Sequence, residues 1–503
     1  MKKFFVTVGI AAMAFAFTAC GGGNATNSAT VPIFAADDEP LSGNLTVSTF
    51  DTVMLRPFLE SAAELFTEMH PDVTITVDSF SAPPEIQTIE NEDGTTMQVM
   101  RTSEGPQERR DYVNQISTDL MGGRGPDILA MDMLPFYRYA RMGQLVDLRP
   151  FMEHDPNFDI NDYRANIFDL LTTDTGLFKF PINIDFQYIT FDSTLFTPAQ
   201  QNALMAGGAF TIQELLELGS PAFHAANEEH NMFSMADFVM FRHLFHLYQN
   251  HFINFETRTA NFTDGVFVDM LNMIQNMDDQ GYLQDGTFGN VRIGGMEVVE
   301  MDRFLYKFNP SFLLFQEFNR DDPDRLGFFM GQGVTDDDMV AGLLGNSLGD
   351  VPFALGERGG GTAFGINSNS QNQALAWEFI KFLSSDALID LAGGVMGIPL
   401  HIGAFEESAW RNASNHMFTP RRLIEDSGAP IEYLELNATQ LARKQAYIET
   451  VDGFINSFTT FRITDALIEE MIFSEIGEFF NGEISAEDLA RNLQSRITLV
   501  LNE

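Results

Sequence analysis

LTVSTFDTVMLRPFLESAAELFTEMHPDVTITV, residues 45–77, changes hydrophobic period twice within one short span. Asn44 to Phe50 is a β-rich run. From Pro57 the apolar residues Phe58, Ala62, Leu65, Phe66 and Met69 recur at helical spacing, with the proline at a tolerated first-turn position. Val73 to Val77 then alternates β-branched residues with threonine, the period of a strand. Strand, helix, strand in that order predicts an α/β fold.

The chain around this unit supports the same class. Residues 81–110 are polar with few apolar anchors and predict an inserted loop. A helix is expected over 111–121, broken by Gly122-Gly123-Arg124-Gly125-Pro126, with a strand from Asp127 to Asp132 running into a loop. The chain is extended from Phe180 to about Phe191 and mainly helical up to 299, most strongly over 235–249 and 265–277. Residues 310–318 and 362–367 are strand-like, and helices dominate after Gln371. A chain of 503 residues exceeds one compact core and predicts about two to three domains. No repeat and no compositional linker divides it, which favours two lobes that exchange chain segments.

The first forty residues have a different logic. MKKFFVTVGIAAMAFAFTAC places Lys2 and Lys3 before an apolar run that is too short to span a bilayer comfortably. The only cysteine, Cys20, follows the small residues Thr18 and Ala19. One cysteine allows no internal disulfide and no cysteine-based zinc site. The segment resembles a bacterial lipoprotein signal, which implies cleavage after residue 19 and lipidation of Cys20. Residues 21–43, rich in Gly, Ala, Ser, Thr and Asn, are expected to form a flexible tether, so that 20–43 joins anchor to domain. The formal net charge is −42; without Lys2 and Lys3, 27 basic residues face 71 acidic ones, leaving −44. Such a field disfavours nucleic acid and anionic lipid surfaces and long-range attraction of anionic solutes.

Motifs for chemistry are few. Gly345-Asn346-Ser347-Leu348-Gly349 matches the nucleophile-elbow pattern, but Pro352 and Gly356 disfavour the helix that must follow the serine. His243 and His246 lie one helical turn apart without a nearby third ligand, amid phenylalanines, and fit a packed helix better than a metal site. Asp155-Pro156-Asn157-Phe158-Asp159 begins like a calcium loop, but Ile160 and Asn166 stand where glycine and glutamate are required; a solvated acidic turn is expected instead. Trp377, on an amphipathic helix, is expected in the core. No P-loop or dinucleotide fingerprint is present, and nothing calls for a cofactor or for catalysis.

Residues 45–77, GGRGPDILAMDMLPFYRYARMGQLVDLRPF (122–151), FKFPINIDFQYITFDSTLF (178–196), Phe210 to Leu215, GGTAFGINSNSQNQALAWEFIKFL (360–383), MGIPLH (396–401) and the ending LQSRITLVLNE follow one another as in a known family. The chain resembles the bacterial extracellular solute-binding proteins of ABC importers, specifically the sugar-binding family that includes maltose-binding protein. It departs from that pattern at Ile212, where tryptophan is usual, and at Asp192, where asparagine is usual.

The resemblance implies a periplasmic-binding-protein-like fold with two α/β lobes, segment exchange and a hinge. Lobe one would be 44–182 plus 300–367, and lobe two 183–299 plus 368–503. It implies a monomeric binding protein without catalytic residues, cofactor or metal, lipid-anchored outside the membrane. A sugar or oligosaccharide would be captured by cleft closure and passed to permease subunits. Ligand contacts are expected at strand ends: Phe50 and Asp51, Met131 and Asp132, and Asp185, Phe186 and Tyr188 just past Pro181, with Gly360 in a ligand-facing turn. Asp185 matches a sugar-binding acid of maltose-binding protein; carboxylates pair with vicinal hydroxyls and aromatic faces stack on sugars. Asp127 has the alternative of capping a local turn. A secreted glycan-acting enzyme, a surface adhesin, and a binder of peptides or other polar solutes are the competing readings.

Overall fold

The computed structural model describes residues 40–50, 55–81, 85–90, 96–101, 106–131, 134–206, 208–226, 230–284, 303–318, 338–345, 347–349, 362–388, 397–414, 435–463 and 465–502. The opening unit forms as its periodicity predicts: strand Gly43–Thr49, helix Leu55–Met69, strand Val73–Ser79. The strands pair in parallel, Val47 opposite Val77, and Val47 also meets Ile128 of the parallel strand Ile128–Ala130. The helix buries Phe58, Ala62 and Phe66 of the expected stripe, joined by Leu59, against the sheet; Leu65 is partly buried and Met69, at the helix end, is exposed.

The first sheet runs Val73–Ser79, Gly43–Thr49, Ile128–Ala130, Ala363–Ile366, Phe180–Pro181. Ala363–Ile366 is antiparallel to both its neighbours, so a late segment is threaded between two early ones. Gly365 in that strand is required by close approach: a Cβ there would stand 2.2 Å from Met131 Cε and 3.0 Å from the Phe178 carbonyl. The second sheet runs His230–Phe233, Arg303–Pro310, Gln187–Asp192, Asp338–Leu344, Ala209–Phe210. Its core is filled from the Asp237–Phe252, Val266–Asp279, Ala466–Phe480 and Ala486–Asn502 helices. Two sheets with separate cores, crossed by the chain more than once, make a two-lobe α/β fold.

The expected lobe boundaries need correction. Residues 303–310 and 338–344 do not join the first lobe, because both strands hydrogen-bond to Gln187–Asp192 at the centre of the second sheet. Nor does all of 368–503 belong to the second lobe. The Gln373–Leu383 helix packs on the first sheet, with Trp377 fully buried against Phe151, Phe158 and Phe180.

Local expectations also shift. Within 81–110, Glu85–Glu90 and Thr96–Arg101 pair as an antiparallel hairpin, and the following helix starts at Pro106. The strand expected at 310–318 lies earlier, at Arg303–Pro310. Ser311–Phe318 is a tight helical segment whose Leu314 and Phe315 are buried, so its apolar run carries no readable period. Asp155 is no solvated turn: it is 5% exposed and accepts from Trp377 Nε1 at 2.8 Å, from Asn157 N and from Lys381. Burial works against its charge, yet these donors hold its carboxyl below the usual range.

Candidate functional site between the lobes

The C-terminal ends of the first sheet's parallel strands and the crossing Pro181–Gln187 face the region where ligands of open α/β sheets bind. Asp51, Asp132, Gly360 and Cys20 lie outside the described residues. Asp127 takes the structural role: its carboxylate accepts from Thr46 N at 2.8 Å, from Thr46 Oγ1 and from Ser370 Oγ, clasping three early and late segments together.

The other expected contacts fall into two separate groups. Phe50 and Met131 share the third apolar cluster, on the opposite face of the first sheet from the Leu55–Met69 helix. Phe50 is 2% exposed, its ring centroid 5.5 Å from Tyr112 and 6.4 Å from the half-buried Phe80. Met131 is buried, its amide donating to Ala363. The second group lies at the crossing. Phe186 is packed edge-on against Phe454 and Phe458, and Tyr188 is fully buried with its hydroxyl donating to Glu317 at 3.0 Å. These rings meet protein rather than an open face.

Asp185 is the member of that group with a chemical signature. Its Oδ1 accepts from the Phe186 amide at 2.9 Å and from the Ser311 hydroxyl. It thereby ties the crossing Pro181–Gln187 to the Ser311–Phe318 segment that follows the strand Arg303–Pro310. Among the described residues no cation offsets its burial, which pushes the carboxyl up to about 6 against the pull of those donors.

Residues from the two lobes meet directly in a contact that no local pattern along the chain announces. The Phe136–Arg141 helix of the first lobe sends Tyr137 and Arg138 to Asp465, which caps the Ala466–Phe480 helix of the second. Tyr137 donates to Asp465 Oδ2 at 2.6 Å; Arg138 Nη2 lies 3.3 Å from the same oxygen, and Arg138 Nε donates to the Tyr137 hydroxyl. Asp465 is 2% exposed and its Oδ1 accepts the amides of Leu467 and Ile468. Tyr137 also packs 4.4 Å from Phe255, Arg110 pairs with Glu470, and Lys179 lies over both Phe136 and Phe461. Burial and then Asp465 push the Tyr137 hydroxyl well above its usual range.

Behind Asp465 lies a buried polar network in the second lobe. His246 contacts Glu469 at 3.1 Å, and Arg462 reaches both Glu469 and Gln249. Burial, aided by Arg462, pushes His246 down to about 4; burial likewise pushes down His243, which hydrogen-bonds Gln187, to about 4. Both are neutral packed residues of the Asp237–Phe252 helix, as their phenylalanine-rich setting suggests. Among the described residues no group of three His, Cys, Asp or Glu side chains is placed to hold a metal ion. Ser347 stands in a short strand parallel to Thr460–Arg462.

The fold is that of solved solute-binding proteins. The sugar-binding protein MalE from Xanthomonas citri matches with a TM-score of 0.56 at 13% identity, over 92% of this chain and 98% of its own. An extracellular solute-binding protein family 1 member from Alicyclobacillus acidocaldarius matches at 0.53 and 15% identity, over 93% and 100%. The GacH receptor of Streptomyces glaucescens, solved unliganded and with acarbose, matches at 0.51 and 14% identity, over 92% and 99%. No family model matches the chain.

Proposed function

We propose that this protein is the extracellular substrate-binding component of an ABC importer, not an enzyme. It captures a neutral sugar or oligosaccharide between its lobes and hands it to a membrane permease. The observation that carries the reading is the two-lobe fold with exchanged segments, shared over more than nine-tenths of the chain with the proteins just described. The net charge of −42 supports a neutral ligand over an anionic one.

In this reading Asp185, with Asp51 and Asp132 on the strand-end loops and Gly360 in its turn, contacts ligand hydroxyls. Phe50, Met131, Phe186 and Tyr188 hold the strand ends and the crossing that present them. Cys20 carries the lipid that keeps the mature chain, a monomer, at the outer face of the membrane.

A thermal-shift screen with mono- and oligosaccharides, followed by calorimetry, tests the ligand class, because a ligand of the native state alone raises apparent stability. Asp185→Ala should weaken the best sugar about ten- to hundredfold, the value of a buried charged hydrogen bond. A screen that selects a peptide or an anion overturns the sugar assignment, and turnover of a glycan overturns the non-enzymatic one. Cys20→Ser should move the protein from the membrane fraction to the medium; unchanged partitioning removes the anchor.

A further inference from the structure

We propose that Tyr137, Arg138 and Asp465 form a latch that holds the two lobes together, and so biases the chain toward closure, through protein contacts alone. Three observations carry this. First, every group in the contact belongs to the chain, so its energy is present whether or not a solute lies between the lobes. Second, Asp465 cannot satisfy itself locally. Its Oδ1 is committed to the helix amides of Leu467 and Ile468, whereas its Oδ2 receives Tyr137 and faces Arg138 across the lobe boundary. Third, apolar contacts shield the carboxylate from water: the Asp465 side chain is 1% exposed, with Arg138 at 22% on the outer side. Ile463 and Leu467 of the second lobe pack on the first lobe's third cluster, and Tyr137 packs in return on Phe255. A hydrogen bond to a charged group in such a place is worth more than one at an exposed rim.

The latch sets the population of the closed state before binding. Opening the lobes must pull a carboxylate, a guanidinium and a phenol apart and rehydrate them. A protein so biased pays less of its binding energy to close, so apparent affinity rises in proportion to the closed fraction. That consequence rests on the solute-binding reading; the latch itself does not.

The test is therefore made on the full chain without added solute. Small-angle scattering gives the lobe separation, and hydrogen exchange gives the protection of residues 135–141 and 460–467. Tyr137→Phe with Arg138→Leu removes the first lobe's half and leaves the Asp465 cap in place. The closed-to-open ratio should fall at least about tenfold, with a larger radius of gyration and lost protection at both segments. Asp465→Asn, which keeps a capping oxygen but loses the charge facing Arg138, should shift the same quantities in the same direction by less. Wild-type scattering and exchange in both variants overturns the latch. So does a wild-type profile already as open as the variants'. Neither result bears on whether a sugar binds, which the calorimetry reads separately.

Discussion

Asp185 and the two buried histidines pull the pH dependence of stability in opposite directions. The Asp185 carboxyl is raised to about 6 from 3.8, so the unfolded chain loses this proton first as pH rises. Its contribution to stability is fully present below pH 4 and is lost as pH rises through 6. Asp185→Asn should stabilise the protein at pH 7 by on the order of 1–2 kcal/mol, allowing for its partial exposure, while weakening sugar binding. Chemical denaturation at pH 7 checks the first effect, and a less stable variant would refute it. His243 and His246, depressed to about 4 from 6.5, act the other way: as pH falls from 6.5 toward 4 the unfolded state takes up protons that the folded state refuses. With two such groups against one, the melting temperature should fall across that window. His246→Gln, which can still reach Glu469, should flatten the fall; an undiminished slope would show that His246 does not titrate as its burial dictates.

At the scale of elements, the Gln373–Leu383 helix is tied down by more than its apolar stripe. Asp155 receives both Trp377 and Lys381 from it. Asp155→Ala would leave Lys381, only 11% exposed at its side chain, with Glu378 as its remaining ion-pair partner, and should cost about 3 kcal/mol. Equilibrium unfolding measures this, and a loss below about 1 kcal/mol would mean that the pair is hydrated in solution. Elements with a strong local period were legible in the sequence: the strand–helix–strand opening, the Asp237–Phe252 and Val266–Asp279 helices, and Trp377 as core. Asp155 was not, because the side chains that bury it, Trp377 and Lys381, lie more than 220 positions away and a carboxylate beside proline and asparagine reads locally as a turn. The strands Arg303–Pro310 and Asp338–Leu344 carry no mark of the sheet they enter, since pairing partners are set by the path of the chain and not by composition. Tyr137 and Asp465, 328 positions apart, were invisible for the same reason. Of the candidate site, residue types at strand ends could be named, but which rings face a ligand and which face the core depends on packing that no single segment records.

For the whole molecule, the latch and the hinge make a joint forecast. Ligand should compact the wild-type chain less than it compacts the Tyr137→Phe, Arg138→Leu variant, because the variant starts more open. Scattering titrations with the best sugar compare the two; equal compaction would separate closure from the latch. The strand Ala363–Ile366 carries a different consequence, one of timing. It sits between Ile128–Ala130 and Phe180–Pro181, so both of those strands keep bare hydrogen-bonding edges until residue 366 has joined them. The first lobe therefore cannot finish folding from its own early segment while synthesis proceeds. The nascent chain must wait for its far side, through a long loop closure that slows folding. In a polypeptide built this way the first lobe stays loose until well past the chain's midpoint, the condition in which a chain can be threaded across a membrane and in which exposed edges invite aggregation if export stalls.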